Sequence, residues 1–149
     1  MSKLLKLSIM AGCLAALSVG QVLAQEATPA APADPNAMPA PYDCTLAEAV
    51  LCKAGAICTP AKTLGDLPLP ARVLVHFEEQ VIATTAPNGL PHISKIADLS
   101  RSGDIIVAQG VDGGTGWQLH VTANDDEATF VAASDDFVIN AFGTCKPAQ

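Results

Sequence analysis

Cys44, Cys52 and Cys58 lie within fifteen positions of one another in the stretch "DCTLAEAVLCKAGAIC", and Cys145 stands near the C-terminal end. Thiols so placed can ligate zinc, cycle between thiol and disulfide, or staple a small fold. Zinc is disfavoured, because no C-x-x-C pair exists and spacings of eight and six match no zinc signature. A redox role wants a close pair at a helix start, where the thiol pKa is depressed, and that is missing too. The fifth cysteine, Cys13, lies in an N-terminal export signal described below, and four cysteines in a small exported domain read instead as two disulfides.

The remaining reactive side chains are sparse. His76, His92 and His120 are the only histidines. His76 and His120 belong to runs whose alternate positions are Val75/Phe77 and Leu119/Val121, so each faces away from its apolar neighbours. A three-histidine metal site needs His92 brought beside them, and no second ligand stands at a fixed spacing. Asp125, Asp126, Glu127, Asp135 and Asp136 fall in two adjacent turns, with Asp112 a further candidate neighbour. Calcium requires six to eight converging oxygens, and this spacing is not an EF-hand; solvated acidic turns are the plainer reading. "DGGTG" (112–116) lacks the Lys-Ser/Thr and the helix of a phosphate loop, so it reads as a hairpin turn leading into Trp117. Neither G-x-S-x-G nor H-E-x-x-H occurs, and no catalytic residue, metal or cofactor is assigned. Trp117 alternates with Leu119 and Val121, which favours a core role. As the sole tryptophan it is also, with His120 and His76, the candidate ligand surface.

These residues need a scaffold and a compartment. Lys3 and Lys6 precede an apolar run, Leu7 to Val19, and "VLAQ" offers a small-residue cleavage site after Ala24. That layout is a secretory signal over residues 1–24. The run is too short and too interrupted by Gly12, Ser18, Gly20 and Gln21 for a retained span, which needs about 20 apolar residues. "IMAGC" (9–13) is the competing lipoprotein box, with Cys13 lipidated, but the residues after it stay apolar. Residues 25–41, "QEATPAAPADPNAMPAP", cannot bury enough apolar surface to offset ordering and read as a disordered tether. The folded part then covers 42–149, one domain by the usual size range.

The charge balance excludes some partners. Eight basic and fifteen acidic residues give −7, and loss of Lys3 and Lys6 with the signal leaves six against fifteen, or −9. Nucleic acid and anionic lipid are recognised through Lys and Arg, so both are disfavoured. A basic protein or an envelope component is permitted. The mature chain is expected to carry no transmembrane segment.

"TLAE" is a capping-box pattern, with Thr45 as N-cap and Glu48 reaching back, and predicts a short helix from Leu46 to Ala54 that ends at Gly55. Cys44 and Cys52 would then lie about 12 Å apart at 1.5 Å per residue, beyond the roughly 7 Å that a disulfide spans. Cys52–Cys58 with Cys44–Cys145 is the preferred pairing, and Cys44–Cys58 with Cys52–Cys145 is the alternative. Beyond a Pro-rich approach, seven β runs follow: 72–78, 80–85, 91–99, 104–111, 117–123, 128–133 and 137–143. Turn clusters "APNG", "SRSG", "DGGTG", "NDDE" and "SDD" separate them. The fold class is therefore mostly β, an antiparallel meander of about seven strands forming a small barrel or sandwich, with one disulfide-tied helix.

The segment "DC…LC…G…C.P", then "QGVDGGTGW", then "FGTCKP" resembles a group of small exported proteins of alphaproteobacteria over about residues 42–147. That resemblance implies a similar architecture and no chemistry. A weaker likeness is to the small β-barrel inhibitors of c-type lysozyme, but their Ser-Gly…Tyr inhibitory loop is missing, since Tyr42 is the only tyrosine. The leading expectation is an exported, periplasmic or secreted, non-enzymatic module that binds a protein or envelope component. Its rivals are a small-ligand carrier using a barrel cavity and a small hydrolase.

Overall fold

Alternating inward and outward side chains set this architecture, because a strand points successive residues to opposite faces. The computed structural model describes residues 37–148. The expected signal segment 1–24 with Cys13, and the expected tether as far as residue 36, lie outside the described residues.

The described residues form twelve strands: β1 (Tyr42–Lys53), β2 (Thr59–Ala61), β3 (Thr63–Leu64), β4 (Leu67–Pro68), β5 (Ala71–His76), β6 (Val81–Thr85), β7 (Pro91–Lys95), β8 (Asp98–Ser102), β9 (Ile105–Asp112), β10 (Thr115–Thr122), β11 (Glu127–Ala133) and β12 (Phe137–Pro147). Ten belong to one antiparallel sheet, ordered β7-β6-β5-β1-β12-β11-β10-β9-β8, with β2 beside β1; β3 and β4 form a separate hairpin. β5 to β7 and β8 to β12 are two meanders, and β1 joins them between β5 and β12. The chain runs directly from β7, at one edge of the sheet, into β8, at the other. The sheet is thereby curled into a half-barrel.

Each of the seven expected β runs carries a strand. The count of about seven nevertheless becomes ten in the main sheet, because the 91–102 stretch divides between two edges and because β1 and β2 join. The expected helix over Leu46–Ala54 is corrected: that segment is strand. Tyr42, Cys44 and Leu46 alternate inward, all buried, and the whole length of β1 pairs with β12. A complete ladder plus a buried apolar face outweighs the single reciprocal bond pair of a capping box. Gly55 does act as a stop, but at a strand end, with φ +71°.

The register of β1 on β12 places Cys44 opposite Cys145 and shifts between Leu46 and Glu48, where a bulge sits. Gly143 faces this bulge. A Cβ there would stand 1.9 Å from the Thr45 carbonyl oxygen and 2.7 Å from the Leu46 Cα, so the "FGTC" sequence combines a close backbone approach with a disulfide two residues later. Both bonds match the preferred pairing: Cys44–Cys145, and Cys52–Cys58 across the turn after β1. Two disulfides fit a non-reducing compartment.

The concave face is packed. Leu46, Val73, Val75, Ile106, Leu119 and Val121 are each under 2% exposed. Tyr42 meets Phe77 edge to face at 5.4 Å, and Trp117 lies over Phe130 at 6.2 Å. No helix among the described residues is long and apolar enough to cross a membrane.

Candidate functional site

Reading the inward positions strand by strand, the run is apolar almost everywhere, and it turns polar at one end. On β9 the inward residues are Ile106, Ala108, Gly110 and then Asp112; the β7 stretch places Ser94 in phase with buried Ile96, and His92 follows toward the same end. Across from them on β6, Ile82 pairs with Ser94 and Thr84 with His92. A buried polar residue is more informative than an exposed apolar one, and Ser94 is the buried polar residue of the described chain, at 6% exposure.

These side chains converge on one carboxylate. The Ser94 hydroxyl and the His92 Nε2–H both donate to Oδ2 of Asp112. The two bonds tie β7 to the end of β9, across the opening of the half-barrel. The Ser94 bond first, and the His92 bond second, hold the Asp112 carboxyl below its ordinary value, against a smaller opposing effect of burial. Asp112 reaches this position through a tight hairpin: Gly113 and Gly114 both have positive φ (54° and 85°), as a two-residue turn of type I′ requires. The "DGGTG" segment is thus a turn that presents Asp112.

The β3–β4 hairpin completes the site. Gly65, at φ +60°, turns the chain so that Leu64 is buried. A concavity of about 270 Å³ results, lined by Leu64, Leu67 and Ile82 on the apolar side and by Asp66, His92 and Asp112 on the polar side. It lies at the mouth of the half-barrel, above the packed core, where barrels commonly bind.

The constellation holds one carboxylate between two internal donors. Ser, His and Asp are all present, but Asp112 stands between the other two and no Ser94–His92 bond forms. A nucleophilic serine needs a base poised to take its proton. A carboxylate held below its ordinary value is a weak base for a hydroxyl, so the arrangement orients and fixes charge.

The three residues expected as a ligand surface are not brought together. Trp117 is inward and 6% exposed, lying over the space that Gly110 leaves open. Its indole N–H is enclosed with no acceptor among the described residues. His120 and His76 are half-buried on outward phases of β10 and β5, and β11, β12 and β1 separate those strands. His76 Nδ1 is 3.7 Å from Glu79 instead. The acidic turns also diverge: Asp125 and Asp126 precede β11 and Asp135 and Asp136 follow it, so they occupy opposite ends of one strand. No group of three or more candidate metal ligands forms among the described residues.

Ser94 and Asp112 stand 18 positions apart, and no spacing rule joins them. The signal that finds them is phase, since both are polar side chains standing where Ile96 and Ile106 fix the inward face. No family model, no curated protein and no solved structure matches the chain.

Proposed function

We propose that the protein is an exported, non-enzymatic binding module, acting in the periplasm or outside the cell, that engages a basic protein or envelope component. One observation carries this reading. The inward face is filled by its own side chains, and convergent polar groups occur at its mouth, at a surface concavity. A carrier of small apolar molecules uses an interior cavity of roughly 300 Å³ or more, and a packed interior favours contact at the rim instead. Two disulfides, a signal-like N-terminus and the resemblance to small exported proteins support the compartment. A net charge of −7 supports a basic partner.

Crosslinking in intact envelopes, followed by affinity capture, tests this. The expected result is one dominant crosslinked partner whose recovery falls as ionic strength rises. Capture of nothing above background under mild crosslinking, or turnover of ester or glycoside substrates by the purified protein, overturns it.

A further inference from the structure

The mouth concavity has two unlike walls. Leu64, Leu67 and Ile82 form an apolar side, and Ile82 and Leu64 are themselves buried at 6% and 8% exposure. Asp112 and Asp66 supply carboxylates, and none of the residues lining the concavity is Lys or Arg. Oδ2 of Asp112 receives both internal bonds, which leaves its second oxygen to a further donor, and the side chain is 37% exposed. His92 and Ser94 fix the carboxylate in place, so a ligand meets a preset acceptor. A ligand without a donor would leave the second oxygen unused, an anion would meet two like charges, and a cationic donor gains a charge-assisted bond that a neutral donor does not.

We propose that this concavity receives a lysine or arginine side chain of a protein partner, with the alkyl stem on Leu64, Leu67 and Ile82 and the cationic head against Asp112 and Asp66. The proposal rests on the binding-module reading and supplies its contact. Long cationic side chains carry an apolar stem and a charged tip, and that order matches a pocket apolar on one side and acidic on the other. The volume of about 270 Å³ suits one such side chain and is small for a folded segment. Contact made through a charge at the rim also acts on association rate and salt dependence.

The test is an NMR titration of the isotope-labelled full chain with three blocked amino acids: N-acetyl-lysine methylamide, its arginine counterpart, and the uncharged norleucine counterpart. Saturable shifts are expected at Gly65, Asp66, Ser94 and Asp112 with the two cationic probes and not with norleucine. Asp112→Asn, which keeps an oxygen acceptor for Ser94 and His92, should weaken the cationic probes at least tenfold. Asp66→Asn, whose side chain is exposed on the β3–β4 turn, should weaken them several-fold and keeps the test valid if the first variant folds poorly. Equal response to norleucine, shifts confined to the turns at 125–126 and 135–136, or insensitivity to both substitutions overturns the proposal. The two readings fail separately. Wild type that captures an envelope partner while its mouth ignores both cationic probes loses the pocket and keeps the module, whereas wild type that captures nothing loses the module itself.

Discussion

Removing the two disulfides separately should cost very different amounts. Cys44–Cys145 joins residues 101 positions apart, and Cys52–Cys58 joins residues six apart. In the chain-entropy treatment a cross-link stabilises by restricting the unfolded chain, and the effect grows with the logarithm of the loop. For these separations it gives about 4.7 kcal/mol for the long loop and about 2.2 kcal/mol for the short one. Burial widens the difference. Cys44 and Cys145 are 0% and 1% exposed, so alanine at both leaves unfilled volume in the core. Cys52 is half-buried and Cys58 exposed, so their loss leaves little behind.

The assay is equilibrium urea unfolding of wild type, Cys44→Ala/Cys145→Ala and Cys52→Ala/Cys58→Ala. With a slope near 1.3 kcal/mol per molar, within the usual urea range, the long-loop variant should lose about 3 to 4 M in midpoint. The short-loop variant should lose about 1.5 to 2 M. Total stability for a domain this size is about 5–15 kcal/mol, so the first variant gives up a third or more of it. Equal midpoints for the two variants, or a larger loss from the Cys52–Cys58 pair, would refute the reasoning. So would a reactive thiol at any of the four positions in the unfolded, unreduced wild type.

Gly143→Ala should destabilise by about 3 kcal/mol or more, because its Cβ meets backbone that has no room to yield. Gly116→Ala, whose Cβ meets only the Ala133 carbonyl at 3.9 Å, should stay within about 0.5 kcal/mol of wild type in the same unfolding measurement. At Gly110 a Cβ would stand 2.5 Å from the Trp117 ring and 2.4 Å from the Lys95 carbonyl. Gly110→Ala should therefore shift the emission of this sole tryptophan to longer wavelength, and an unchanged spectrum would contradict the packing. Asp112 has a folded-state pKa below its ordinary value, so its contribution is fully present above about pH 3.9. That contribution is lost as pH falls through the folded value. The stability difference between wild type and Asp112→Asn should accordingly be constant near neutrality and shrink on acidification below about pH 4, with the Asp112 carboxyl titrating below its ordinary value by NMR.

Much of the sheet is legible because its signal is local. Strands β5, β6 and β9 to β12 alternate apolar and polar residues, and glycine- or aspartate-rich turns bound them. β1 is not legible in that way. Its own residues, with Thr45 and Glu48 at capping-box spacing and alanines and leucines between, favour a helix taken alone. The fact that decides its state lies about a hundred residues away, in β12, whose Gly143 admits the bulge and whose Cys145 fixes the register. Local propensity gives way here to a non-local ladder. The preferred disulfide pairing therefore forms for a reason other than helix length. Cys44 and Cys52 are kept apart by strand extension, and each is opposite or near its true partner.

The mouth site was hidden for a related reason. Leu64 and Leu67 come from a proline-rich stretch that reads as an approach to the first strand, Ser94 and His92 from an edge strand, and Asp112 from a glycine turn. Nothing in their spacing joins them until the sheet curls. What the sequence does carry is an inconsistency: polar side chains on the inward phase of strands whose other inward residues are apolar. A buried position of this kind costs stability unless its polar group is paired, and buried Ser94 donates to Asp112, as exposed His92 also does. The carboxylate is then held in place at an opening that an apolar residue would have sealed. A fold stapled at both ends of its chain has little need of a further polar tie for stability alone, and ionic pairs near a surface contribute little to it. On the proposed reading, the placement serves what the open oxygen of Asp112 accepts from a partner.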